Sequence, residues 1–109
     1  MNYKSANISE TAYVAKETML IGDISIGDET TVLFYTVMRA EGKENIQIGK
    51  QSNIQENCTI HVDEGNSVSI GDGVTIGHNC VIHGCEIGDG TMIGMGSTIM
   101  NGVKIGKGC

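Results

Sequence analysis

The chain contains three histidines, and all of them lie in one short stretch. They are His61, His78 and His83. Three neutral imidazoles on one divalent ion such as zinc leave its fourth position open, which is the arrangement of catalytic zinc rather than of structural zinc. Histidines at these spacings also occur as unrelated surface residues. The metal hypothesis therefore depends on whether the fold brings the three side chains together.

The elements that must position these histidines follow a six-residue repeat. Aliphatic residues recur at every sixth position, apart from two four-residue insertions and one five-residue step. All positions of this frame are Ile, Leu, Val or Met: Ile8, Val14, Leu20, Ile26, Val32, Met38, Ile48, Ile54, Ile60, Ile70, Ile76, Ile82, Ile87, Ile93, Ile99 and Ile105. Gly often follows the aliphatic residue directly. Gly or Asn often stands three places after the aliphatic residue, and both types suit the tight corner expected there.

A short extended segment followed by a turn, repeated along the chain, predicts a parallel β-helix. Three hexads would make one triangular coil, which gives about five coils with a spacing of roughly 4.8 Å. The aliphatic side chains would form three inward columns. This explains how a chain with 16 Gly, no Trp and one Phe builds a core.

The predicted faces divide the histidines into two groups. His61 and His83 each follow an aliphatic residue of the same face, one coil apart, so their side chains point outward in one column with Arg39. His78 falls on a different side of the prism. Within one subunit it is not expected to reach a metal shared by His61 and His83, and a neighbour related by a three-fold axis could supply it.

The two insertions lie near residues 41–45 and 63–67, and both are polar. Each follows a hexad of the same face, so both are expected to project from one corner of the prism, beside the column of Arg39, His61 and His83. A scaffold that groups its insertions usually carries its function there.

Length and composition set the remaining limits. The 109 residues form a single predicted domain over 1–109, and a net charge of −6 argues against a nucleic-acid or anionic-membrane binder. No secretory signal is visible at the N-terminus, so we expect a cytoplasmic protein with reduced thiols. Cys58, Cys80 and Cys109 occupy the small-residue place of their hexads and are expected to pack as small hydrophobes.

Several segments together resemble the gamma-class carbonic anhydrase family of left-handed β-helical hexapeptide-repeat proteins. These segments are Val37-Met38-Arg39-Ala40-Glu41, Asn53-Ile54-Gln55-Glu56-Asn57, Ile60-His61-Val62-Asp63 and residues 76–85, which read Ile-Gly-His-Asn-Cys-Val-Ile-His-Gly-Cys. The resemblance implies an all-β, left-handed parallel β-helix and a homotrimer with one divalent metal at each subunit interface, zinc first and iron or cobalt as alternatives. His61 and His83 would be ligands from one subunit, with His78 from its neighbour.

The resemblance also implies further roles. The metal would activate water for attack on carbon dioxide to form bicarbonate, a lyase reaction of the carbonate dehydratase type. Gln55 would orient that water, with Asn53 as a supporting or substrate contact, and Glu64 would be a proton shuttle. Arg39 would pair with an acid across the interface, with Glu41 as candidate. Here the chain departs from the family, which usually has Arg-Gly-Asp where this chain has Arg-Ala-Glu.

The sequence is also compatible with two other functions. Hexapeptide-repeat folds also serve coenzyme A-dependent acyltransferases, although the histidine register and the short loops argue against one. A metal-binding trimeric scaffold without catalytic activity is the other alternative. Family members continue through further coils and a C-terminal helix, whereas this chain stops within a hexad. We therefore expect a C-terminally incomplete domain without a capping helix, able to associate through its uncapped last coil.

Overall fold

The aliphatic hexads form the strands of the protein. The computed structural model describes residues 6–109, and within them each aliphatic position of the repeat lies in its own short strand. The strands are β1 (Asn7–Ile8), β2 (Tyr13–Val14), β3 (Met19–Gly22), β4 (Ile24–Ile26), β5 (Thr31–Val32), β6 (Val37–Ala40), β7 (Ile46–Ile48), β8 (Asn53–Ile54), β9 (Thr59–His61), β10 (Val68–Ile70), β11 (Thr75–Ile76), β12 (Val81–His83), β13 (Glu86–Ile87), β14 (Met92–Ile93), β15 (Thr98–Ile99) and β16 (Lys104–Ile105).

Every third strand joins the same parallel sheet, so the chain winds as a three-sided prism. One sheet has the order β1-β4-β7-β10-β13-β16, the second β2-β5-β8-β11-β14 and the third β3-β6-β9-β12-β15. We call them the first, second and third sheets. All pairings between named strands are parallel, and the described residues contain no helix. The predicted all-β parallel β-helix of about five coils is thereby confirmed.

The interior consists of stacked aliphatic side chains. Ile54, Ile60, Ile76 and Ile82 are fully buried. At the neighbouring small-residue places, buried hydroxyls and thiols join one coil to the next, as where the Ser52 hydroxyl donates to the Gly71 carbonyl at 2.9 Å. These contacts satisfy backbone carbonyls at the corners, where strand pairing ends.

The cysteines follow this pattern in part. Cys58 and Cys80 are buried, as the sequence predicts. Cys109, on the last coil, is exposed instead of packed.

Both insertions leave the prism at one corner, between the third sheet and the first. One joins β6 to β7 and the other joins β9 to β10, and the backbone amide of Asn45 in the first donates to the Ser67 hydroxyl in the second at 3.0 Å. The predicted grouping of the loops is therefore present. No helix among residues 6–109 is long and apolar enough to span a membrane.

Candidate metal centre

His61 and His83 lie side by side on the outer surface of the third sheet. They pair in register at the ends of β9 and β12, and Arg39 at the end of β6 pairs in register with His61. The Nδ1 atom of His61 is 3.1 Å from Nε2 of His83, and the two rings meet edge to face. In this structure the two nitrogens share a hydrogen bond. Two nitrogens bound to one tetrahedral zinc are separated by roughly 3.3 Å, so the pair also has a donor type and spacing that suit zinc.

The electrostatics around His61 favour its neutral, metal-binding form. Partial burial lowers the pKa of His61, and the positive charge of Arg39 and the neighbouring His83 lower it further. Arg39 itself forms an ion pair with Glu41 of the same chain, with Nη1 and Oε1 3.0 Å apart. Pairing of Arg39 with an acid across an interface stays a prediction.

His78 lies on a different side of the prism from the other two histidines. It follows β11 in the second sheet, is exposed, and has its Nδ1 atom 2.9 Å from Oε1 of Glu56. In the part of the chain that the structure describes, no three His, Cys, Asp or Glu side chains converge as a metal site. One chain thus presents two adjacent histidines on one face and a third candidate ligand on another.

Gln55 lies on the same side as His78. It follows β8, the neighbour of β11 in the second sheet, and its amide nitrogen donates to Oδ1 of Asn53 at 3.3 Å. Asn53 in turn donates to the Thr75 hydroxyl at 3.0 Å. The structure therefore brings Gln55 and Asn53 together with the side that presents His78, and away from the His61–His83 pair.

A cleft of about 530 Å³ separates the two inserted loops and opens beside His61. Glu64 lies on its second-loop side, where its backbone amide donates to Oδ1 of Asp63, and Glu41 and Glu44 lie on its first-loop side. Four carboxylates against one lysine make the cleft acidic. The lining is Glu41, Gly42, Lys43, Glu44, His61, Val62, Asp63 and Glu64.

Three further residues, to which the sequence pattern assigned no role, contact the histidines directly or through one another. Glu56 contacts His78, Asn101 contacts His83, and Asp63 contacts Asn101. The backbone amide of Glu64 and the Asn101 amide hold the pKa of Asp63 below its usual value. The hexad frame contained a signal for Asn101, since it stands two places after Ile99, as Gly84 does after Ile82 one coil before. The reach of Asp63 depends on the loop conformation, which periodicity does not encode.

Known proteins share both the repeat and the fold. Residues 46–84 match the model "Hexapeptide repeat of succinyl-transferase" and residues 84–109 match "Bacterial transferase hexapeptide (six repeats)". A structure of a hexapeptide transferase family protein from Anaplasma phagocytophilum superposes with a TM-score of 0.80 at 29% identity, over 94% of this chain and 70% of that one. These matches and the coil geometry define a hexapeptide-repeat β-helix protein.

Two curated relatives narrow the class. A probable carbonic anhydrase of Methanocaldococcus jannaschii is 45% identical over 84% of this chain, and a carbonic anhydrase of Geobacillus kaustophilus is 37% identical over 96% of it. The chain is a hexapeptide-repeat protein whose sequence is similar to those of carbonic anhydrases. It spans 57% of the length of each of these two relatives.

Proposed function

We propose that this chain forms a homotrimer whose subunit interfaces bind a divalent metal and hydrate carbon dioxide to bicarbonate. The observation that carries the proposal is the His61–His83 pair, whose nitrogens are 3.1 Å apart beside an acidic cleft. The carbonic anhydrase relatives support the same reaction.

The ligand set would be divided between two subunits. His61 and His83 of one chain would hold the metal together with His78 of its neighbour, since a single chain presents these side chains on different sheets. Three imidazoles suit zinc, and iron and cobalt also accept them. A metal bound there would lower the pKa of water toward neutrality.

Gln55 would orient the attacking water. Its amide nitrogen is engaged by Asn53, which turns the amide oxygen into the acceptor for a water O–H. Because Gln55 and His78 lie on the same side of one chain, both would reach the site on the neighbouring subunit together.

The acidic cleft would remove the proton that hydration releases. Carbon dioxide and water yield bicarbonate and one proton, and the exposed Glu64 carboxylate can accept that proton beside His61 and pass it to solvent. The Arg39–Glu41 ion pair would hold the first inserted loop in place at the opposite edge of the cleft. The bicarbonate anion would leave past this edge.

Stopped-flow hydration of carbon dioxide by the zinc-loaded protein tests the proposal. We expect turnover that is lost in His83→Ala and reduced at least about tenfold in Gln55→Ala, because displacing an oriented reactant by about 1 Å can cost roughly 100-fold in rate. Gln47→Ala is the matched control, because Gln47 is exposed on β7 of the first sheet. Stoichiometric zinc without turnover would refute the enzyme and favour a metal-binding scaffold.

Mixing two inactive variants tests the shared site. His78→Ala and His83→Ala chains should each bind zinc weakly alone. In trimers refolded from an equal mixture, about a quarter of the interfaces would join an intact pair to an intact His78, so about a quarter of the zinc sites should return. No recovery in mixed trimers would refute the division of ligands between subunits.

An acyltransferase is the second candidate, favoured by the likeness to a hexapeptide transferase family protein. The acidic cleft argues against it, because the phosphates of coenzyme A would meet Glu41, Glu44 and Glu64. Thermal stabilisation by acetyl coenzyme A and not by zinc would reverse the ranking.

A further inference from the structure

Asn101 connects His83 to the second inserted loop. The Nδ1 atom of His83 is 2.7 Å from Oδ1 of Asn101, and the Asn101 amide nitrogen donates to Oδ2 of Asp63 at 3.0 Å. Asn101 lies in the turn after β15, and Asp63 lies in the loop after β9. Three distant parts of the sequence therefore meet in one chain of hydrogen bonds that ends on His83.

The direction of these hydrogen bonds determines where the protons are. An ionised carboxylate only accepts hydrogen bonds, so Asp63 must face the NH2 group of Asn101. The amide oxygen of Asn101 therefore faces His83. Because that oxygen only accepts, Nδ1 of His83 must carry the hydrogen. In a neutral imidazole the lone pair is then on Nε2, the atom that lies 3.1 Å from His61.

The backbone at Gly84 makes room for this arrangement. A Cβ atom at Gly84 would collide with Oδ1 of Asn101 and would lie 2.8 Å from Cβ of Asn66. Gly84 also has a φ of 56°, which disfavours any residue with a side chain. The corner between β12 and β13 thus has both the backbone conformation and the space that let Asn101 reach His83.

We propose that Asn101 and Asp63 are positioning residues that hold His83 as the Nδ1–H tautomer, so that its Nε2 is ready to bind a cation. The metal-binding part of this inference rests on the proposed function, whereas the tautomer is a property of the chain without metal. Hydrogen bonds to the second nitrogen of a ligating histidine fix its ring and raise its affinity as a ligand.

Nitrogen-15 NMR of the histidine side chains measures the tautomer directly in the metal-free protein near pH 8. We expect His83 to be the Nδ1–H form in the wild type and a mixture of tautomers in Asn101→Ala. Asn7→Ala is the matched control, since Asn7 is an exposed asparagine at the other end of the prism. An Nε2–H form of His83 in the wild type would overturn the proposal.

Zinc affinity, measured by competition with a chelator, tests the consequence for the metal. Asn101→Ala should weaken binding about 10- to 100-fold, and Asp63→Asn should weaken it less, because Asn101 loses only its orienting partner. In the double variant Asp63→Asn with Asn101→Asp, the amide at position 63 would donate to the carboxylate at position 101. That carboxylate would still accept the hydrogen bond from Nδ1 of His83. The double variant should recover affinity to within about threefold of the wild type. Equal affinities in all variants would refute the positioning role.

A glycine pair provides a further measurement if Asn101 variants fold poorly. Gly84→Ala would push Asn101 away from His83 and should weaken zinc binding, whereas Gly90→Ala imposes the same kind of backbone strain at φ 71° with no neighbour within 4 Å. The same loss in both variants would contradict the inference. A wild type that binds no zinc refutes the proposed function, while the tautomer experiment still tests the hydrogen-bond chain.

Discussion

Alkaline pH should destabilise the protein through the buried thiol of Cys58. This side chain is 1% exposed, and its Sγ donates to the Gly77 carbonyl at 3.1 Å, which joins the coil of His61 to the coil of His78. Burial raises the pKa of Cys58 from 9.0 to about 11. Between these two values the unfolded chain has lost the thiol proton and the folded chain has kept it. The free energy of unfolding therefore falls as pH rises from about 9 to about 11.

The shift sets the size of the effect. Two pKa units correspond to about 3 kcal/mol once the pH exceeds both values, and to about 1 kcal/mol at pH 10. Urea unfolding at about pH 7.5 and pH 10, with a reductant present, measures the loss. Cys58→Ser removes the titrating group and keeps a donor, so its loss between the two pH values should be smaller than that of the wild type by about 1 kcal/mol. Any fixed cost of the substitution cancels in this difference.

Cys109→Ser is the matched control, because it removes an exposed thiol on the last coil and leaves the buried Cys58 in place. Equal losses in the wild type and in Cys58→Ser would show that the thiol titrates alike in both states, and would refute the reasoning.

Substitutions at a corner glycine and at a core isoleucine test the packing between coils by urea unfolding near neutral pH. Gly49→Ala should cost about 2 kcal/mol or more, because its Cβ would lie 2.7 Å from backbone atoms of Gly71, whereas Gly106→Ala, with nothing within 4 Å, should change stability by less than about 1 kcal/mol. Similar values for the two would refute close coil packing. Ile82→Ala should cost about 2–5 kcal/mol as a fully buried side chain and should weaken zinc binding, since the cavity lies next to His83. Unchanged stability would show that the stacked aliphatic side chains contribute little to the free energy of unfolding.

The fold could be predicted from the sequence because aliphatic residues at a six-residue spacing determine it. Each aliphatic hexad position pairs with the position one coil away, as Ile60 does with Ile82, so the register of His61 with His83 followed from counting. The two ends of the inserted loops were predictable for the same reason.

Contacts made by the loops could not be obtained by counting. The contact of Asp63 with Asn101 and the hydrogen bond between Asn45 and Ser67 depend on how the inserted connections 41–45 and 62–67 fold, and these connections have no repeat. Glu56 stands one coil before His78 at the same place of its hexad, so the repeat predicts that the two residues are neighbours. The residue types alone did not indicate that they form an ion pair.

The order of the hexads explains why a metal held by all three histidines would join subunits. Consecutive strands belong to different sheets, so His78 and His83 are separated although they are close in sequence, whereas His61 and His83 stack although a whole coil lies between them. Two of the proposed ligands therefore share a face and the third does not, whatever the side-chain rotamers. In the proposed trimer, a heterologous contact repeated around a three-fold axis would appose the two kinds of face at every interface and close the ring. Metal binding and assembly would then be one equilibrium, because each completed site would stabilise the interface that forms it.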